Sequence, residues 1–111
     1  MKGECAVDYF NEMCAMTGYE ARTTFWMDFT IADMYGRRAI RDTFDRAFNE
    51  WKNNFEYLTE LVMVLNWKVW LWYQIDEEIA KLYSDLWETA DRYALDNLTG
   101  DERMYFIRTV D

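Results

Sequence analysis

The distribution of apolar residues along the chain is least ordinary at residues 61–73, which read LVMVLNWKVWLWY. At about 100° per residue, the apolar side chains fall on two opposite faces of a helix. The first face carries Leu58, Leu61, Val62, Leu65, Val69 and Trp72. The opposite face carries Met63, Val64, Trp67, Trp70 and Leu71. Since a surface helix usually has one apolar stripe, this helix requires cover on two sides.

Two strongly amphipathic segments flank this helix and predict neighbours for it. In residues 38–53, one helical face is apolar and carries Ile40, Phe44, Ala47, Phe48 and Trp51. Residues 76–98 carry another such face, formed by Ile79, Leu82, Tyr83, Leu86, Trp87, Ala90, Tyr93 and Ala94. Asn53 and Asn54 predict a break before the apolar helix, and Asp76 predicts an N-cap after it.

Three weaker patterns complete the secondary structure. Residues 24–35 predict a helix capped by Thr23 or Thr24 and ended by Gly36. Asp101 can cap a short helix over 101–108 that buries Met104 and Ile107. Residues 4–17 place Ala6, Phe10, Met13 and Cys14 on one helical face.

The fold class follows from these periodicities, because no segment shows the alternation of a strand. We expect one all-α domain over residues 1–111, a bundle of five to six helices around a central helix at about 55–74. Residues 1–22 form either its first helix or a loosely packed arm. The second apolar face of the central helix, through Met63, Trp67 and Trp70, is then covered by that N-terminal segment or by a second copy.

Composition excludes several kinds of catalytic site. The chain has no His and no Pro, and only four Gly. Without His there is no Ser-His-Asp triad, no Cys-His pair and no His metal ligand. There is no phosphate-binding Gly loop and no zinc-type Cys spacing either. We therefore expect no enzyme, no cofactor and no metal, with a carboxylate- and metal-dependent enzyme as the least favoured alternative.

Charge points to a protein partner. The net charge is −9, and residues 76–111 alone carry four basic and ten acidic residues, a net −6. Nucleic-acid binding needs a basic surface, whereas an acidic chain suits a basic protein surface. The candidate contacts are the carboxylates on the polar side of the 76–98 helix. They are Glu77, Glu78, Asp85, Glu88, Asp91 and Asp96. The alternative is that this face serves solubility alone.

A short basic run supports a second functional hypothesis. Ala32 and Gly36 have the spacing of a tight helix corner, and Arg37, Arg38 and Arg41 follow it. In a helix-turn-helix unit, such arginines contact phosphates and base edges. Aspartates on the same side of the helix and the acidic chain weigh against this DNA-binding interpretation.

The remaining signals concern location. Cys5 and Cys14 lack a redox spacing, the first residues lack a secretory apolar region, and charges interrupt the apolar run. We expect reduced thiols and a cytoplasmic protein without a membrane span.

Three stretches resemble small uncharacterised helical proteins carried on plasmids, prophages and conjugative elements of gut bacteria: FTIADMYG, AIRDTFDRAFNEWKNNFEYLTELVMVLNWK and YALDNLTGDERMYFIRTVD. The resemblance covers residues 28–111. It implies a compact helical fold, an intracellular setting and an accessory role in a mobile element, and it assigns no catalytic residues. Together with the charge, it suggests an inhibitor of a host nucleic-acid-handling defence protein, of the anti-CRISPR or anti-restriction type, whose carboxylates stand in for phosphates.

Overall fold

The helix between residues 55 and 73 contacts every other helix in the part of the chain that the structure describes. This computed structural model describes the backbone of residues 20–110 and side chains from Phe25 onward. The five helices are α1 (Glu20–Tyr35), α2 (Arg37–Trp51), α3 (Phe55–Tyr73), α4 (Glu77–Asn97) and α5 (Gly100–Val110), with no strand among the described residues. The prediction of an all-α bundle around a central apolar helix is confirmed.

Side-chain contacts show how the helices run. Asp33 and Thr30 of α1 bond to Lys68 of α3, while Phe25 packs on Tyr57, so α1 is parallel to α3. Likewise α2 is parallel to α4, because Arg37 bonds to Glu78 at one end and Phe48 packs on Tyr93 at the other. The first four helices therefore form an up-down-up-down bundle, and α5 packs on α3 and α4.

The core contains the residues that periodicity selected on α2, α3 and α4. Leu58, Leu61, Val62 and Leu65 of α3 are completely buried. Val64, on the opposite face, is also completely buried, so the second apolar face is partly covered within the chain.

Side-chain caps set two of the helix starts. The Asn54 Oδ1 accepts the backbone N–H groups of Glu56 and Tyr57 at 3.1 and 3.2 Å. The Asp76 Oδ1 accepts those of Glu78 and Ile79 at 3.0 and 3.4 Å. Both satisfy amides that an α-helix leaves without internal partners, and both agree with the predicted breaks.

A single glycine joins α1 to α2. The Gly36 N–H donates to the Ala32 carbonyl oxygen at 3.1 Å, and Gly36 has φ 106° and ψ −169°. Residues with a Cβ atom avoid this region, so the corner requires glycine.

Three predictions, two about helix caps and one about a buried residue, are wrong. α1 begins at Glu20, so Thr23 and Thr24 lie inside the helix instead of capping it, because Glu, Ala and Arg extend it backwards. α5 begins at Gly100, which puts Asp101 in its first turn. Met104 is exposed, and Phe106 is the buried residue of α5. The predicted helix over 4–17 and the alternative arm over 1–22 lie wholly or mostly outside the described residues.

Candidate interaction surfaces

The three residues predicted to form one surface, Met63, Trp67 and Trp70, differ in how far they are exposed. Met63 is half-buried, and Trp67 is 41% exposed with its ring edge-on to Trp26 of α1, at 6.2 Å between centroids. Trp70 is 68% exposed. These three residues therefore do not form one uniformly uncovered face.

A cleft of about 350 Å³ opens beside the first two of these residues, between α3, α4 and α5. Met63, Trp67, Trp87 and Phe106 give it apolar walls, and Asn66 and Asp91 add polar groups. Asp91 is only partly exposed here, which separates it from the other carboxylates of α4.

A buried polar cluster joins α1, α3 and α4. The Lys68 Nζ, on a side chain 1% exposed, donates to the Asp33 Oδ2 at 2.7 Å and to the Thr30 Oγ1 at 3.1 Å. The Trp72 Nε1 donates to the same Asp33 oxygen at 3.2 Å, and the Tyr83 hydroxyl donates to the Asp33 Oδ1. We call these five residues the Lys68 cluster.

The Lys68 cluster is held together by an ion pair, hydrogen bonds and a cation–π contact. The Lys68 ammonium has two hydrogen bonds and lies 4.3 Å from the centre of the Trp26 ring, which supplies a cation–π contact. Burial, and then the hydrogen bond to Asp33, raise the pKa of Tyr83 well above its usual value. A lysine nucleophile must be within reach of its substrate, and this amine is buried and ion-paired to Asp33.

Exposed apolar side chains concentrate at one end of the bundle. Six of the nine large exposed hydrophobic residues found among the described positions belong to the last turns of α1 and α3 or follow directly after them. The bonds from Asp33 to Lys68 and Trp72 place these two helix ends side by side. We call this set the apolar tip. It comprises Met34, Tyr35, Trp70, Leu71, Tyr73 and Ile75.

Of the apolar tip, only Trp70 was predicted from sequence as an interface residue. Tyr35 and Ile75 each precede a helix-breaking or capping residue, Gly36 and Asp76. A large apolar residue beside a helix break is the sequence feature that could have indicated this surface, because a chain that turns at the surface rarely buries such a residue. The two corners are neighbours only in the tertiary structure, and the periodicity of the sequence does not predict this.

Most of the predicted acidic surface forms one stripe on α4. Five of the six predicted carboxylates are exposed and lie within about 100° around the helix axis. We call them the acidic stripe: Glu77, Glu78, Asp85, Glu88 and Asp96. Lys81 and Arg92 lie within it, the Arg92 Nη2 binds the Glu88 Oε1 at 2.8 Å, and Glu78 pairs with Arg37 of α2. The surface is acidic but interrupted by positive charge.

The arginines of the DNA-binding hypothesis are exposed at the start of α2. Arg38 and Arg41 face solvent together with Asp42 and Asp45, while Arg37 is bound to Glu78. A helix-turn-helix joins its helices by a turn of three to four residues, whereas a single Gly36 does so here. The geometry therefore lends this unit little support.

No cluster of three or more metal-ligating side chains occurs among the side chains that the structure describes, from Phe25 to Val110, and none of the described helices is long and apolar enough to cross a membrane. The chain matches no protein-family model, and no curated protein or solved structure is significantly similar to it.

Proposed function

We propose that the protein is a non-catalytic interaction module of a mobile genetic element, and that the acidic stripe binds a basic surface of a partner protein. The observation that carries the proposal is the alignment of five exposed carboxylates along α4. From Glu77 to Asp96 the stripe extends roughly 28 Å, which is long enough to engage a helix or groove of a partner.

The physical role of such a stripe is recognition and rapid association. Complementary charges steer diffusional encounters and reject partners of like charge. Because exposed charges are screened at a Debye length of about 8 Å in physiological salt, binding through the stripe weakens as salt is added.

The most specific form of the proposal is an inhibitor of a host nucleic-acid-handling defence protein, in which the carboxylates replace phosphates. The net charge of −6 over residues 76–111 and the resemblance to mobile-element proteins support it. Lys81 and Arg92 weaken the likeness to a continuous phosphate track, so we expect a mixed-charge contact that uses only part of the stripe.

The test is affinity capture from host lysate with the full chain and two charge-reversal variants. Asp85→Lys plus Glu88→Lys alters the stripe, whereas Asp42→Lys plus Asp45→Lys makes the same change of net charge on α2. We expect a nucleic-acid-binding protein that the wild type and the α2 variant retain and the stripe variant loses. A titration with that purified partner should show the same order and a marked salt dependence. Equal losses for both variants would refute a specific acidic surface.

A DNA-binding regulator is the second candidate, favoured only by the exposure of Arg38 and Arg41. A gel-shift titration with duplex DNA at low salt tests it, with Arg38→Ala plus Arg41→Ala as the comparison. Absence of a shift, or a shift that the double substitution leaves unchanged, ends this alternative.

A further inference from the structure

The cleft between α3, α4 and α5 fits a helix of the same chain, and we propose that residues 4–17 fold into an amphipathic helix that docks on it. These residues precede α1 and lie outside the part of the chain that the structure describes. The apolar pattern of the segment, the lining and size of the cleft, and the position of the cleft beside α1 each support this occupant.

The segment has the pattern of a helix that packs through one face. At about 100° per residue, its polar side chains fall within an arc of roughly 100°. They are Glu4, Asp8, Asn11 and Glu12. The opposite arc carries Ala6, Phe10, Met13 and Cys14. An apolar arc of this kind requires an apolar surface to cover it.

The cleft supplies an apolar surface of suitable size. Eight of its eleven described lining residues are apolar, so its walls match the apolar arc of the segment. A helix is about 10–12 Å wide, and a cleft of about 350 Å³ therefore admits side chains and leaves the helix backbone outside. The docked helix lies across the mouth of the cleft and inserts side chains such as Phe10 and Met13.

The path of α1 brings the segment to this cleft. Trp26, in the second turn of α1, packs edge-on against Trp67 of the cleft wall, at 6.2 Å between ring centroids. α1 begins at Glu20, about 9 Å from Trp26 along the helix axis. Gly18 precedes that start, and glycine permits the sharp turn that folds the segment back along α1. A helix over residues 4–17 is roughly 21 Å long, which is enough to pass Trp26 and reach the cleft.

Charge and connectivity select the orientation and the source of the helix. Asp91 lies in the cleft wall and repels other carboxylates, so the acidic arc of the segment turns to solvent and the apolar arc turns inward. A segment attached to α1 by a short turn is present at an effective concentration in the millimolar range. The segment of the same chain is therefore favoured over that of a second copy.

The thiol of Cys14 tests whether the segment is docked. In a Cys5→Ser background Cys14 is the only thiol, and we expect it to react with dithionitrobenzoate at least tenfold more slowly in the folded protein than in urea. Phe10→Asp should release the segment and bring the rate close to its value in urea. Asn11→Asp is the matched control, because it adds the same charge on the polar arc and should leave the protection intact. Equal rates for the folded and the urea-denatured protein, or equal loss of protection in both variants, would overturn the proposal.

Substitutions in the cleft test where the segment docks. Met63 lines the cleft, whereas Met104 is exposed on α5 outside it. We expect Met63→Glu to expose Cys14 and Met104→Glu to leave it protected, with circular dichroism measuring whether the bundle stays helical. If Met63→Glu unfolds the bundle, Asn66→Glu changes a less apolar position of the same wall and should expose Cys14 in a folded protein. Protection that persists in the folded cleft variant would place the segment elsewhere, and protection that rises with protein concentration would assign the cover to a second copy. Either result contradicts the proposal.

Discussion

At the scale of single residues, the Lys68 cluster has the largest energetic consequence. Taking a lysine and an aspartate out of water costs several kcal/mol per ion, and their attraction offsets this only when other hydrogen bonds are satisfied. Here Thr30, Trp72 and Tyr83 complete the bonding around Lys68 and Asp33. Losing one charge therefore harms the fold more than losing both.

We expect Lys68→Met to lower the free energy of unfolding by about 3–5 kcal/mol, because it leaves the Asp33 carboxylate buried without its cation. The double variant Lys68→Met plus Asp33→Asn removes that charge and should lose less. Urea denaturation followed by circular dichroism measures both. A double variant less stable than the single variant would show that the Asp33 charge is not the cause.

The ionisation of Tyr83 makes the stability of the folded protein depend on pH. Burial and the bond to Asp33 raise its pKa in the folded protein, whereas the unfolded chain ionises it near its ordinary value of 10.0. Above that pH the unfolded state releases a proton that the folded state retains, so stability present at lower pH is lost as pH rises. We expect Tyr83→Phe to flatten this fall in unfolding free energy. Tyr73→Phe, on an exposed side chain, should leave it unchanged.

At the scale of elements, the corner between α1 and α2 depends on one residue. A Cβ atom added at Gly36 would meet no other atom within 4 Å, so the cost of a substitution there is conformational. The Gly36 corner also sets the positions of Tyr35, which ends α1, and of Arg37, which begins α2. It therefore affects the shape of the apolar tip.

We expect Gly36→Ala to destabilise the protein by about 1–3 kcal/mol, because Ala is strained at φ 106° and ψ −169°. Thermal unfolding gives the comparison with Gly100→Ala, at φ 58°, where the left-handed helical region costs roughly 1–2 kcal/mol. A Gly36→Ala variant as stable as the wild type would mean that the backbone of the corner shifts to a conformation that alanine tolerates.

At the scale of the whole molecule, the excess negative charge opposes compactness. A net charge of −9 repels itself in the folded state, and added salt screens that repulsion. We expect the melting temperature to rise between low and physiological NaCl, and the rise to be smaller for Asp85→Asn plus Asp96→Asn, which removes two exposed carboxylates. A melting temperature that falls over this range would contradict the interpretation.

Most of the helical architecture could be predicted from the sequence, but less of the exposed surfaces could. Periodicity identified the core of α2 and α4 because one face of each is apolar. The Asn53–Asn54 break and the Asp76 cap marked the starts of α3 and α4, and the structure adds that the Asn54 side chain is itself a cap. Periodicity placed α5 in the wrong phase, since Met104 and Phe106 are both apolar and only packing on α3 distinguishes them. Lys68 was visible as an interruption, but its partner Asp33 lies 35 residues away, and only the tertiary fold brings the two together.

The parallel arrangement of α1 and α3 has a consequence for the order of folding. α3 and α4 are joined by a short connection and form a local hairpin, whereas the bonds of the Lys68 cluster span 35 to 50 residues. Because contacts between distant residues carry a larger loop-closure cost, we expect the α3–α4 hairpin to form early and α1 to dock last. Destabilising substitutions at Lys68 should then accelerate unfolding while leaving the folding rate nearly unchanged.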